Sequence, residues 1–438
     1  MEIKRDKYLQ EIINRKDNGL IKIVTGLRRA GKSYLLFHMY YEYLLSQNID
    51  PDHIIRFAFD SDDDVDLLDP FLSEEPTKIR QKRGFTVNSR KFRAYIKSIT
   101  SENDHYYVLL DEVQLLDSFV GVLNGMLRKG NLDVYVTGSN SRLLSSDIIT
   151  EFRGRGDQIR VYPLSFKEYY SCVSMPFHKA LREYQYFGGM PLLMNMTSES
   201  QKTAYLKNLF EEVYIKDIQE RYGIIDSELF GKLIDILSSS IGSYTTPTKL
   251  ERTFRSELHL TYSHTTIRKH IDCLIDCYLL EEVRRYDVKG KKYISANSKF
   301  YFKDIGLRNA RINFRQNEPT HVMENIIYNE LICRGYNVDV GLVEINEKNG
   351  NGNTVRKDLE VDFVVNTATG RYYIQSAYLL TDENKMNQEE KSLLHTGDHF
   401  KKIIIVNDDI KPYKTESGTS VISLEDFLLS YEDLDSIR

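Results

Sequence analysis

Tryptophan is absent from the 438 residues, proline occurs nine times and cysteine only four times. So little proline excludes a collagen-like or linker-dominated chain. Cys172, Cys273, Cys277 and Cys333 are too scattered for the disulfide framework of a small secreted domain. Cys273 and Cys277 stand one helical turn apart without a second ligand pair, so they read as small core residues on one helix face. No stretch approaches the ~20 apolar residues of a membrane span, and the opening MEIKRDKYLQEIINRK lacks the apolar core of a signal peptide. The expectation is a cytoplasmic chain without membrane attachment. A dominant charge is missing too, because 59 Lys and Arg stand against 64 Asp and Glu, a net −5. That excludes a protein coating nucleic acid with its whole surface and leaves a local basic patch open.

What is present belongs to a folded chain. Hydrophobic residues make up 41% and charged residues 28%, a balance that argues against bulk disorder. At roughly 150 residues per domain the length allows about three domains. Short apolar runs at Ile21–Thr25, Ile54–Phe59, Tyr106–Asp111, Val134–Gly138 and Ile159–Leu164 alternate with helical patterns such as Ser33–Gln47. Continuous rather than alternating hydrophobicity suits strands buried on both faces, so the expected class is α/β with an open parallel sheet.

Beyond this the pattern changes twice. From about Phe166 to Tyr222 it is helical, punctuated by FGGMP at Phe187–Pro191. Helix Ser227–Ser239, TTPTKLERTF, a helix after the N-cap Ser263 and a hairpin through KGKK follow in the order of a winged helix-turn-helix. The last ~120 residues read α-β-β-β-α-β, with KNGNGN as a hairpin loop.

Gly26-Leu27-Arg28-Arg29-Ala30-Gly31-Lys32-Ser33 fits G-x-x-x-x-G-K-[ST] without mismatch, straight after a buried strand and opening a helix. The glycines let backbone N–H groups turn toward phosphates, Lys32 spans the β- and γ-phosphates, and Ser33 offers a hydroxyl to Mg²⁺. Tyr106–Leu110 ends in Asp111-Glu112, at the sheet edge where open α/β sheets bind ligands. Asp111 would hold Mg²⁺ through water and Glu112 would polarise the attacking water. These residues imply ATP and Mg²⁺ as ligands. Ser139 or Asn140, in TGSN, are candidates to reach the γ-phosphate, against the plainer reading of a turn. Arg155 and Arg153, in FRGRGD, could complete a neighbouring subunit's site, against the reading of solvated arginines.

GLRRAGKS, VLLDEVQ, TGSNS, FRGRG…YPLSFKEY and YFGGMP occur in an order that resembles a group of prokaryotic AAA+ ATPases. Those proteins carry a C-terminal winged helix and a domain of unknown function. KFYFKDIGLRNA, MENIIYNEL, EVDFVV and YIQSAY are similar to its C-terminal signatures. The resemblance implies the AAA+ strand order, Asn140 or Ser139 as sensor, Arg155 as arginine finger and a homo-oligomer. It also implies GGMP in a helical lid with Pro191 near the nucleotide base. The expected division is an ATPase core 1–165, a lid 166–225, a winged helix 226–312 and a final domain 313–438.

Thr245–Ile312 holds fourteen basic and eight acidic residues, so it carries +6 while the remainder carries −11. A basic unit in an acidic chain is a footprint for nucleic acid, and Arg268, Lys269, Lys291 and Lys292 are the candidate DNA contacts. The competing reading is a winged helix that only relays the ATPase state. In the final domain Glu324, Asp362 and Gln375 resemble the metal-binding layout of restriction-endonuclease-like folds. Gln375-Ser376-Ala377 replaces the acid-x-lysine triplet, so the expected site is degenerate, with Lys385 or Lys391 as the only lysines offered in substitution. The sequence therefore leads to an ATP-driven switch or assembly that acts on DNA. The alternatives are an ATP-gated nuclease and a nucleotide-sensing scaffold for a protein partner.

Overall fold

The computed structural model describes residues 3–81, 84–138, 152, 154–315, 318–348, 353–368 and 370–437. The chain divides into two compact units, one ending at Tyr162 and the other running from Pro163 to Arg438.

In the first unit, β1 (Ile21–Gly26), β2 (Ile54–Ala58), β3 (Tyr106–Asp111), β4 (Leu132–Thr137) and β5 (Gly156–Val161) form a five-stranded sheet in the order β2-β3-β4-β1-β5. Every pairing is parallel. All six residues of β1, β3 and β4 are buried, which is why these strands are written as unbroken apolar runs. Phe57, Phe92, Val108, Leu110 and Leu123 are in the core on one face. β1 is pinned to β4 by a buried ion pair between Lys22 and Asp133. Tyr135 donates to Asp133 and Tyr40 donates to Tyr135, extending the network into the helix after the P-loop. An antiparallel ribbon, Lys78–Arg80 with Phe85–Val87, lies outside the sequence expectation.

The second unit begins with helices Phe166–Ser171 and Phe177–Phe187, a turn at Pro191–Asn195, and a helical run from Glu199 to Tyr222 with a π-helical stretch at Leu209–Ile215. Helices Ser227–Ser239, Pro247–Ser256 and His264–Asp276 follow, capped by Asp226, Thr246 and Ser263. β6 (Leu280–Asp287) and β7 (Lys292–Phe302) make the hairpin. The remaining strands are β8 (Asn337–Lys348), β9 (Thr354–Asn366), β10 (Arg371–Ala377), β11 (Lys401–Val406), β12 (Tyr413–Lys414) and β13 (Ser420–Ser423).

The hairpin expected as a wing also pairs beyond itself. It joins the later strands in one eight-stranded sheet, β12-β13-β11-β10-β9-β8-β6-β7. Val340, Gly341 and Leu342 of β8 pair in parallel with Arg285, Tyr286 and Asp287 of β6. Lys289 Nζ adds a bond to the Glu344 carbonyl at 2.7 Å. Without β8 the outer edge of β6 would leave backbone donors and acceptors unpaired.

The FGG and KDIGLRNA signatures hold each other. Asp304 caps helix Ile305–Arg311 through the Leu307 N–H, and its second oxygen accepts from the Gly189 N–H at 2.7 Å. A β-carbon on Gly188 would lie 2.4 Å from Asp304 Oδ1, so nothing larger than glycine fits. Asn309 Nδ2 donates to the carbonyls of Gln185 and Tyr186. Pro191 heads the turn directly after this lock.

Candidate functional site

The P-loop takes its shape from backbone geometry. Gly26 has φ +134°, and a β-carbon there would lie 2.0 Å from the Val161 carbonyl oxygen of β5. Arg29 at φ +61° and Gly31 at φ +93° complete the curl into the helix opening at Lys32. Ala30 is buried, while Arg28, Arg29 and Ser33 are exposed. Arg5, which no motif marked, props the loop from behind, donating to the carbonyls of Ala30 at 2.9 Å and Tyr162 at 2.7 Å.

Lys32 is buried, and its ammonium donates to the carbonyls of Gly26 and Leu27, both at 3.0 Å. Burial lowers its pKa to about 8 against the opposing attraction of Glu112 and Asp111. The loop thus holds its cation against two of its own carbonyls.

The carboxylates meet it from β3. Asp111 accepts from the Thr137 hydroxyl, and the nearby Ser33 hydroxyl favours its charged form. Burial raises its pKa, and the negative charges of Glu112 and Asp60 push the same way. Ser33 and Asp111, beside crowded carboxylates, are a donor set that a hard divalent cation fits, since it would relieve the repulsion. Glu112 follows in a left-handed conformation, φ +50°, and its N–H donates to Thr137 Oγ1 at 3.3 Å. The Glu112 carboxylate accepts from Gln114 Nε2. Asp60, Gln114 and Thr137 were not singled out from the sequence, since the strand pattern does not show which polar side chains converge at its end. Arg155 is exposed just before β5, with Nη1 3.4 Å from Asn124 Oδ1. Ser139, Asn140 and Arg153 lie outside the described residues.

A family model described as an AAA domain matches residues 18–170, spanning all five strands and both carboxylates. A protein of Haemophilus influenzae is 31% identical over 433 residues, 98% of this chain and 98% of its own. The chain carries an AAA domain and belongs to one family with this relative. A Methanocaldococcus jannaschii protein is 26% identical, over 93% of this AAA protein and 86% of its own length. Both relatives are described as uncharacterized. A domain of unknown function, DUF8612, matches residues 178–318 of the second unit. Among solved structures, the Aeropyrum pernix ORC1 protein in complex with DNA is similar over 72% of this chain and 93% of its own, at 11% identity and TM-score 0.29. The Saccharomyces cerevisiae Hsp104–ADP complex is similar over 63% and 38%, at 13% and 0.30. Likenesses of that extent leave the fold of the AAA domain resting on its strand order and P-loop. Among the described residues no helix is long and apolar enough to cross a membrane.

In the second unit Glu324 and Asp362 do come together, but around a lysine. Lys299 Nζ, from β7, lies 2.7 Å from Glu324 Oε1 and 2.5 Å from Glu360 Oε1. Tyr301 donates to the same Glu324 oxygen. Burial opposes an ionised Glu324, yet Lys299, His321 and Tyr301 hold its pKa low. Burial and the Glu324 charge push Asp362 well above the usual carboxylate range. Glu324, Asp362 and Gln375, expected as a degenerate site, are each engaged by groups of the chain itself. Gln375 Oε1 faces protein donors, the Asp362 N–H and Ser392 Oγ, each at 3.4 Å. Lys385 and Lys391 pair with Glu389 and Glu347. Among the described residues no three acidic, histidine or cysteine groups could hold a metal ion.

The basic segment is likewise rearranged. Arg268 is held by Asp272 at 2.6 Å and Glu282 at 2.8 Å, so its charge is already balanced. Lys269 is exposed and lines a groove of about 940 Å³ together with Thr246, Lys249, Arg252 and Thr265. Lys291 and Lys292 are exposed at the turn between β6 and β7.

Proposed function

We propose that this AAA protein is a Mg²⁺-dependent ATPase working as a switch or assembly, with its output carried by the second unit. The observation that carries the reading is the convergence of Lys32, Ser33, Asp111 and Glu112 at the C-terminal ends of β1 and β3. ATP would lie along Gly26–Ser33, with the N–H groups and Lys32 on the phosphates. Ser33 and Asp111 would hold Mg²⁺, which neutralises charge on the β- and γ-oxygens. Glu112 would take the proton of the attacking water. Arg155, exposed at the mouth of β5, would serve a neighbouring copy in a homo-oligomer, with Asn140 or Ser139 as sensor.

Lys32→Ala and Glu112→Gln separate binding from turnover. Lys32→Ala should abolish nucleotide affinity, because the loop loses its phosphate-facing cation. Glu112→Gln should keep ATP bound and lose hydrolysis, because an amide takes no proton. Equal loss of ATP binding in both variants, read by fluorescent-nucleotide titration, would refute the assignment.

A second reading concerns DNA. Lys249, Arg252 and Lys269 share one groove in a +6 segment, and we read that groove as the phosphate-contacting surface, with Lys291 and Lys292 in support. The buried Lys299 cluster is read as structural rather than as a nuclease centre.

A further inference from the structure

Arg5 stands at the N-cap of helix Asp6–Ile13 and is buried, at 4% exposure. Its Nη1 donates to the Ala30 carbonyl at 2.9 Å and its Nη2 to the Tyr162 carbonyl at 2.7 Å. The guanidinium carbon lies 4.5 Å from the centre of the Tyr8 ring, and the Tyr8 hydroxyl accepts from the Tyr162 N–H at 3.3 Å. A planar fork with two carbonyls on it is fixed in direction as well as in place. A trans peptide group is planar too, so a carbonyl and the next residue's N–H point opposite ways. The Ala30 carbonyl is drawn inward to Arg5, which turns the Gly31 N–H outward. Ala30 is fully buried and Gly31 only half-buried. Among the described residues the Gly31 N–H donates to no backbone carbonyl.

We propose that Arg5 is a positioning residue that aims the Gly31 N–H at the β-phosphate of a bound nucleotide. The inference rests on the ATPase reading above and adds one residue to it. Arg5 itself touches no phosphate; it acts from behind the loop, through one peptide plane. Its second branch anchors it to the residue after β5, whose Val161 is in register with Gly26 at the start of the loop. Both ends of the G-x-x-x-x-G stretch are thus referred to one strand. Without the strut the Ala30–Gly31 peptide is free to rotate, because glycine tolerates many backbone angles. The N–H would then have to be ordered at the moment of binding, and that ordering costs affinity.

The test uses the full chain, with ATP and ADP affinities, KM and kcat measured separately and the fold checked by melting without nucleotide. Arg5→Met keeps the length of the side chain and removes both donors. It should weaken ATP and ADP alike by about 10- to 100-fold, the range for a hydrogen bond to a charged group. The β-phosphate is common to both nucleotides, and the contact exists before and during the reaction. At saturating ATP, kcat should therefore stay within about threefold of the parent chain. Arg5→Lys keeps the charge, but one ammonium replaces the two-pronged fork, and it should weaken both nucleotides by about 3- to 10-fold. Parent-like affinity in a folded Arg5→Met overturns the proposal, as does a loss confined to ATP or a fall in kcat as large as the fall in affinity. Should Arg5→Met not fold, Arg5→Lys decides alone, and parent-like affinity there overturns the proposal. A parent chain that binds neither nucleotide overturns the ATPase reading, and this inference with it.

Discussion

Asp304 shows how one carboxylate can bind two segments at a cost. It is buried at 3% exposure, and burial raises its pKa from 3.8 to about 6, against the opposing N–H groups of Gly189, Leu307 and Gly306. Because the folded value lies above the unfolded one, the protonated form favours folding. Stability contributed by this group is present in full below about pH 4 and is lost as pH rises through about 6. A shift of that size corresponds to about 3 kcal/mol. Asp304→Asn removes the charge but sets an amide N–H against either Gly189 or Leu307. It should destabilise the second unit by about 1–3 kcal/mol and flatten its stability between pH 4 and 6. Urea unfolding across that range checks both outcomes, and an unchanged pH dependence would mean that Asp304 does not carry it.

At the scale of elements, Lys299 ties β7 to helix Pro319–Cys333 and to β9, through Glu324 and Glu360. Lys299→Met would leave Glu324 buried without its cation, and loss of one partner in such a pair costs about 3–5 kcal/mol. Adding Glu324→Gln should recover part of that loss, which thermal melting of the single and double variants would show. This pairing also marks what the sequence could reveal. The P-loop and the DE strand were legible because each is local, a fixed spacing set on a buried strand. The three helices and the hairpin were legible from caps and periodicity. The shared sheet was not, since pairing of β6 with β8 joins segments more than fifty residues apart, and no local pattern encodes a partner. For the same reason Lys299 was missed as the lysine beside Glu324.

For the molecule as a whole, charge is the property that is unevenly placed. The segment Thr245–Ile312 carries +6 in a chain of net −5, and Lys249, Arg252 and Lys269 gather along one groove. If these three contact phosphates, each contact releases condensed counterions. Neutralising all three should weaken DNA binding strongly and flatten its dependence on log salt by roughly 0.9 per lost contact. Lys291→Ala with Lys292→Ala should have the smaller effect, because the turn that carries them is tethered through Lys289 to β8. Arg268→Ala is a poorer probe, since it also releases Asp272 and Glu282 from their partner. ATP hydrolysis without DNA should stay near the parent rate in every variant, because none of these residues belongs to the nucleotide site. Filter binding of a duplex between about 50 and 200 mM salt measures the slope. A slope that the groove variant leaves unchanged would remove DNA from the reading and leave the second unit as a relay or a protein-docking scaffold.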